Sequence, residues 1–238
     1  MSGREVGRVT GLWRYPVKSM AAEALDEAEV SWHGLAGDRR WAFVRAGIER
    51  SDFPWLTIRE RPEMRQYRAF FLEPGRPDAS RTIVRTPAGD ELDVIDPALA
   101  AELGDGARVI KQNRGVFDAM PLSLITTQAI AGIGALVGAE LEVQRFRPNL
   151  LVEAAGDGEF PEDAWVGSVL RIGTVRMRVD QRDERCVMVN VDPASSARDP
   201  AILRAIAQER EACLGVYGTP VQPGRVALGD PVVLEGPD

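Results

Sequence analysis

Reactive side chains are scarce in this sequence. Its 238 residues include two cysteines and one histidine. Cys186 follows the polar run Gln181-Arg182-Asp183-Glu184-Arg185, which places it near a strand end or in a loop. Arg182 and Arg185 favour the thiolate, the form that binds metals and attacks electrophiles, while Asp183 and Glu184 oppose it. Local sequence therefore leaves Cys186 open between a structural thiol and a functional one. Cys213 reads differently. It falls on the same predicted helical stripe as Ile202 and Ile206, which marks it as a core residue.

The other groups with chemical potential are cationic or polar. Lys18, one of two lysines with Lys111, stands beside Ser19 just after a strand. Such a pair can hold a phosphate or another anion, or can be a solvated strand end. Arg39 follows the glycine turn Gly34–Gly37, and its guanidinium can grip an anion as a fork. Between Arg39 and Arg68 stand eight arginines against four acids, a basic stretch in an acidic chain. Arg147 and Asn149 share the run Arg145-Phe146-Arg147-Pro148-Asn149. Asn149 offers both a donor and an acceptor, which suits the edge of a heterocycle or a turn. Thr126 and Thr127 open a predicted helix, as a plain cap or as an anion site at free backbone N–H groups. A sulfur-bound metal on an anionic, heteroatom-rich organic body would use these groups together.

Those groups must be positioned mainly by strands. Predicted strands cover Val6–Tyr15, Arg40–Arg45, Gln66–Leu72, Val166–Ile172, Thr174–Val179 and Leu228–Leu234. Thr82–Thr86 and Glu91–Val94 flank Pro87-Ala88-Gly89-Asp90, a hairpin with a four-residue loop. Three helices are expected. The first has Asp96 as cap, Pro97 at its start and Gly104 at its stop. The second runs from Thr126-Thr127 to about Val137, with Gly138 beyond. The third has Asp199 as cap and Pro200 at its start, and runs to about Leu214 with Gly215 as stop. The fold class is mainly β with a few helices, in a barrel or sandwich. The segment Lys111–Gly115 is the best boundary, dividing residues 1–115 from 116–238.

Composition excludes several classes. Two cysteines cannot build a zinc ribbon or an iron–sulfur cluster, and one histidine excludes HExxH sites. The net charge of -7 argues against nucleic acid as a partner. No apolar run reaches the ~20 residues of a membrane helix, and the N-terminus lacks the apolar core of a secretory signal. A cytoplasmic, reducing-compartment protein is the expectation.

An ordered set of motifs resembles the MOSC family with its N-terminal β-barrel domain, nearest the mitochondrial amidoxime-reducing components and their bacterial relatives. The set is Leu12-Trp13-Arg14-Tyr15-Pro16-Val17-Lys18-Ser19, Gly34-Leu35, Asp38-Arg39-Arg40-Trp41, Phe146-Arg147-Pro148-Asn149, Glu162-Asp163-Ala164-Trp165, Arg185-Cys186, Val191-Asp192-Pro193 and Leu228-Gly229-Asp230-Pro231-Val232. The resemblance implies a MOSC β-barrel packed with an N-terminal β-barrel-like domain, and a molybdenum cofactor (molybdopterin) bound where the two meet. It implies Cys186 as metal ligand and catalytic residue. Lys18, Ser19 and Arg39 would hold phosphate and pterin, Thr126, Arg147 and Asn149 would line the pocket, and Asp192 would shape the loop behind the cysteine. The implied activity is reduction of N-hydroxylated small molecules such as amidoximes. With no cysteines left for an iron–sulfur cluster, electrons would come from a separate donor of ferredoxin or flavin-reductase type. Asp183, Glu184 and Tyr15 are the unranked proton donors. The alternative function is a non-catalytic carrier of molybdenum cofactor or sulfur. Two departures from close relatives bear on the substrate: Glu184 stands where a serine is usual, and Ala194-Ser195-Ser196 replaces a Thr-Gly turn.

Overall fold

The computed structural model describes residues 3–48, 50–115 and 119–235. Seven strands close a barrel: β1 (Arg4–Arg14), β2 (Leu122–Thr126), β3 (Leu150–Ala154), β4 (Val169–Ile172), β5 (Val175–Glu184), β6 (Cys213–Gln222) and β7 (Pro231–Glu235). Around the barrel they run β3, β2, β6, β5, β4, β7, β1, and β1 closes the ring by pairing with β3. Only β2 and β3 are parallel. The alternation in each stave explains its placement. Val6, Val9 and Leu12 of β1 point inward, where they meet Leu124, Val152, Leu170, Met177 and Val216 in one apolar core.

The stave β1 comes from the first third of the chain, and the strand Glu27–Ser31 pairs with Gly224–Ala227 near the C-terminus. Burial and strand pairing therefore tie the first third to the last. Residues between Trp41 and Lys111 add a β-rich unit with its own core around Phe43, Ile58, Met64, Val84 and Leu99. The Pro87–Asp90 hairpin forms as its residues dictate, joining Thr82–Arg85 to Glu91–Asp93, with Gly89 at φ 99°.

Helices α1 (Pro97–Leu103) and α2 (Thr127–Val137) carry the expected caps from Asp96 and Thr126. Helix α3 (Pro200–Arg210) starts on Asp199 as expected but stops about one turn early. Glu211 and Ala212 take left-handed conformations at φ 55° and 62°, and the chain then enters β6. Cys213 is thus not on a helical stripe. It is half-buried at the start of β6, opposite Glu184 of β5. The reason is that two non-glycine residues, not Gly215, supply the left-handed stop, and the apolar spacing continued past the true end.

Candidate functional site

The cysteine loop is built by the end of β5. Asp183 is the last buried residue of that strand, and Glu184 points to solvent. The Arg185 amide then bonds to the Ala212 carbonyl at 2.7 Å, and Cys186 is the extended residue ahead of a 3₁₀ turn over Val187–Asn190. The half-buried Cys186 thiol lies on the wall of a cavity of about 320 Å³. Arg59 donates to its Sγ at 3.4 Å, from a loop 127 residues earlier in the chain.

Two loops of the first third form the facing wall. The turn after β1 carries Lys18 and Ser19, and the Lys18 amide donates to the Trp41 carbonyl at 2.8 Å. The Gly37-Asp38-Arg39 turn is zipped to it: the Arg39 amide donates to the Tyr15 carbonyl, and the Tyr15 amide donates to Asp38 Oδ1, each at 2.7 Å. Arg147 arrives from the segment before β3. The Tyr15 ring is sandwiched between the Arg39 and Arg147 guanidiniums at 4.6 and 4.2 Å from its centroid. Ser19, Arg39 and Arg147 adopt φ of 71°, 48° and 52°, a left-handed backbone that non-glycine residues rarely take. Three such residues on one cavity mark strain held by the surrounding bonds, a pattern that clusters at ligand clamps.

The cavity lining includes six basic residues, Lys18, Arg39, Arg59, Arg145, Arg147 and Arg185, against Asp183 and Glu184. Half of these basic residues are fixed by ion pairs. Arg39 bonds to Asp38 at 2.5 Å, Arg145 to Asp192 at 2.6 Å, and buried Arg185 to Asp183 at 2.9 Å. Asp183 also accepts from the Ser123 hydroxyl at 3.1 Å. Burial pushes the Asp183 carboxyl up to about 6, although Arg185, Ser123 and Tyr217 all act to lower it. Hydrogen bonds from the Ser195 amide and hydroxyl and from the Ala194 amide hold the Asp192 carboxyl below its ordinary value, with Arg145 adding to the effect.

Of the residues singled out in the sequence, Lys18, Ser19, Arg39, Arg147 and Cys186 meet on this cavity. Thr126, Asn149 and Asp192 are not among its lining residues. Thr126 is fully buried, where it caps α2 through the Ala129 amide and donates to Glu162 at 2.6 Å. Asn149 is equally buried. It accepts from the Ser123 amide and donates to the Trp13 carbonyl and Asp38, each at 3.2 Å. It thereby joins the Arg39 turn to the strand that carries Ser123. Asp192 holds Arg145 and orders the turn Ala194–Ser195. Arg59, Ser123, Met188 and Tyr217 line the cavity without having been singled out. Only the basic count between Arg39 and Arg68 pointed toward Arg59.

A metal-bearing anionic cofactor is a fair test of this lining. A soft sulfur donor stands among hard cationic groups, so the wall offers one cysteine sulfur for a soft metal and several guanidiniums for phosphate or pterin oxygens. The volume lies at the small end of ligand pockets, roughly 300–1,000 Å³. The donor set fits.

Fold and site together define a class: a closed β-barrel protein with a thiol on a cationic cavity between its barrel and an N-terminal β unit. The chain belongs to the MOSC domain family, whose profile matches residues 111–233, and the MOSC N-terminal beta barrel domain matches residues 6–109. It is similar to mitochondrial amidoxime reducing component 2 of Bos taurus, 24% identical over 96% of this chain and 83% of that protein. It is also similar to molybdenum cofactor sulfurase of Drosophila grimshawi, 25% identical over 92% of this chain but only 34% of that protein. The YuaD protein from Bacillus subtilis shares the fold, with a TM-score of 0.55, 14% identity and full coverage of both chains. Among the described residues no helix is long and apolar enough to cross a membrane.

Proposed function

We propose that this chain is a molybdenum-cofactor-dependent reductase of N-hydroxylated small molecules. The single observation that carries the reading is Cys186 on the wall of a cavity lined by six basic residues. Cys186 would ligate the metal. Lys18, Ser19 and Arg39 would hold the phosphate and pterin, and Arg147 would close the same wall. Asn149, Thr126 and Asp192 would act from behind it by fixing the Arg39 turn, the start of α2 and Arg145. When bound, the cofactor supplies the two-electron couple that the reaction needs.

For an amidoxime, two electrons and two protons cleave the N–O bond and give an amidine and water. Arg59 and Arg145 keep the approach to Cys186 positive, which favours electron-rich oxygen in the substrate. Asp183 is the group on this wall best suited to hold a proton near neutral pH, because its pKa is pushed up to about 6. Electrons would come from a separate donor protein of ferredoxin or flavin-reductase type.

A second reading is a carrier of the cofactor or its sulfur. The sulfurase relative favours it, since there the matched stretch is about a third of a longer protein. Assay of the holoprotein on an aromatic amidoxime separates the two. The reductase yields amidine with a chemically reduced viologen and none with NADH alone. Cofactor-loaded protein that reduces no N-hydroxylated compound with the viologen is a carrier.

A further inference from the structure

A second cavity, of about 710 Å³, meets the first at Arg147, which lines both. Its lining also includes Arg65, Arg68 and Arg85, and Glu142 is the acid among its described residues. Four guanidiniums around one cavity are unexpected in a chain of net charge -7.

Three features of this wall are costly unless something anionic lies there. Arg68 and Arg85 stand directly opposite each other on paired strands, a like-charge arrangement that destabilises a sheet. Glu91 ion-pairs with Arg85 at 2.6 Å, but among the described residues Arg68 has no ion pair or side-chain hydrogen bond. Arg65 is 4% exposed and bonds to the carbonyls of Gln144, Arg145 and Met188, without a carboxylate in ion-pair range among the described residues. Burial and then the charge of Arg147 push its guanidinium down to about 9. Finally, the hydroxyl of Thr86 is buried on this wall without a hydrogen-bond partner. Trp13 adds a flat apolar surface. Its ring covers Gly11, where a Cβ would come within 2.1 Å of it.

We propose that this second cavity binds a small aromatic or heterocyclic molecule bearing a phosphate or pyrophosphate, with the oxyanion on Arg68 and Arg85, in the field of Arg147, whose Nη1 is held by the Met20 carbonyl, and the ring against Trp13. Guanidinium forks bind such oxyanions through charge-assisted bonds, and an aromatic wall adds stacking. Arg65 contributes its field from below rather than a direct bond, since its Nη atoms are engaged by carbonyls.

The test is calorimetric titration of the purified full chain with ADP, inorganic pyrophosphate and adenosine. The expected order is ADP tightest, pyrophosphate next and adenosine weakest. The Arg68→Ala/Arg85→Ala variant should weaken ADP about tenfold or more, the loss of charge-assisted bonds. Trp13→Leu should weaken ADP and leave pyrophosphate unchanged. Arg59→Ala, in the thiol cavity, should leave ADP binding within about twofold. Arg68→Gln breaks no side-chain bond among the described residues, so it repeats the charge test if the double variant fails to fold. The proposal is overturned if ADP binding follows Arg59 and not Arg68 and Arg85, if adenosine binds as tightly as ADP, or if no probe binds at millimolar concentration.

Discussion

Two cavities share Arg147 and differ in how their charge is held. In the first, Arg39, Arg145 and Arg185 each have a carboxylate within 2.9 Å, and a thiol stands among them. In the second, Arg65 and Arg68 have no carboxylate partner among the described residues, and no thiol is present in the lining. Paired arginines are fixed in place, which suits a site where a metal-bearing group must sit in one position. Arg68, unpaired among the described residues, keeps its charge for a ligand, at a cost to the empty fold, while Arg85 shares its charge with Glu91 at 2.6 Å. Basic composition alone therefore does not define the site. The carboxylates behind the guanidiniums, and the sulfur among them, separate a positioning wall from an anion trap.

That contrast can be broken most strongly at the buried pair. Arg185→Leu leaves Asp183 buried and unpaired, and should destabilise the protein by about 3–5 kcal/mol in urea unfolding. A loss under about 1 kcal/mol would mean that the pair is not holding this wall. The next effect is in pH. The folded pKa of Asp183 lies near 6, above its unfolded value of 3.8, so the fold favours its neutral form. The stability this contributes is fully present below 3.8 and lost as pH rises through about 6. At roughly 1.4 kcal/mol per unit, wild type should lose up to about 3 kcal/mol relative to Asp183→Asn between pH 3.5 and pH 7. Parallel stability curves for the two proteins would contradict the assignment. The smallest effect is at Ser19. Glycine suits its φ of 71°, so Ser19→Gly should unfold at the same urea concentration or slightly higher, a gain of at most about 1 kcal/mol. A clear loss would show that the hydroxyl holds the turn in the absence of ligand.

The fold was largely legible because its signals are local. Asp96-Pro97 and Thr126 cap helices, Gly89 turns a hairpin, and alternating valines and leucines face the barrel. The end of α3 was not legible. Glu211 and Ala212 supply left-handed conformations that their residue types do not announce, so Cys213 was placed on a helix that had already ended. The site was legible only in part. Lys18, Ser19, Arg39, Arg147 and Cys186 stand out by type and neighbourhood, and they gather on one cavity. Arg59 and Tyr217 reach the same cavity through long-range closure that no local spacing reveals. Thr126 and Asn149 stood out for the same polar chemistry, yet their side chains are engaged in bonds inside the protein. A polar residue that supports a wall and one that faces a ligand look alike in sequence, because only burial and partners distinguish them.

The central claim is that one sulfur, that of Cys186, anchors a metal-bearing cofactor. The direct measurement is molybdenum content after expression in a host that makes the cofactor, for wild type, Cys186→Ala and Cys213→Ala. Direct ligation by one thiolate predicts about one molybdenum per chain in wild type and in Cys213→Ala, and a near-complete loss in Cys186→Ala. Molybdenum retained by a folded Cys186→Ala protein would contradict it.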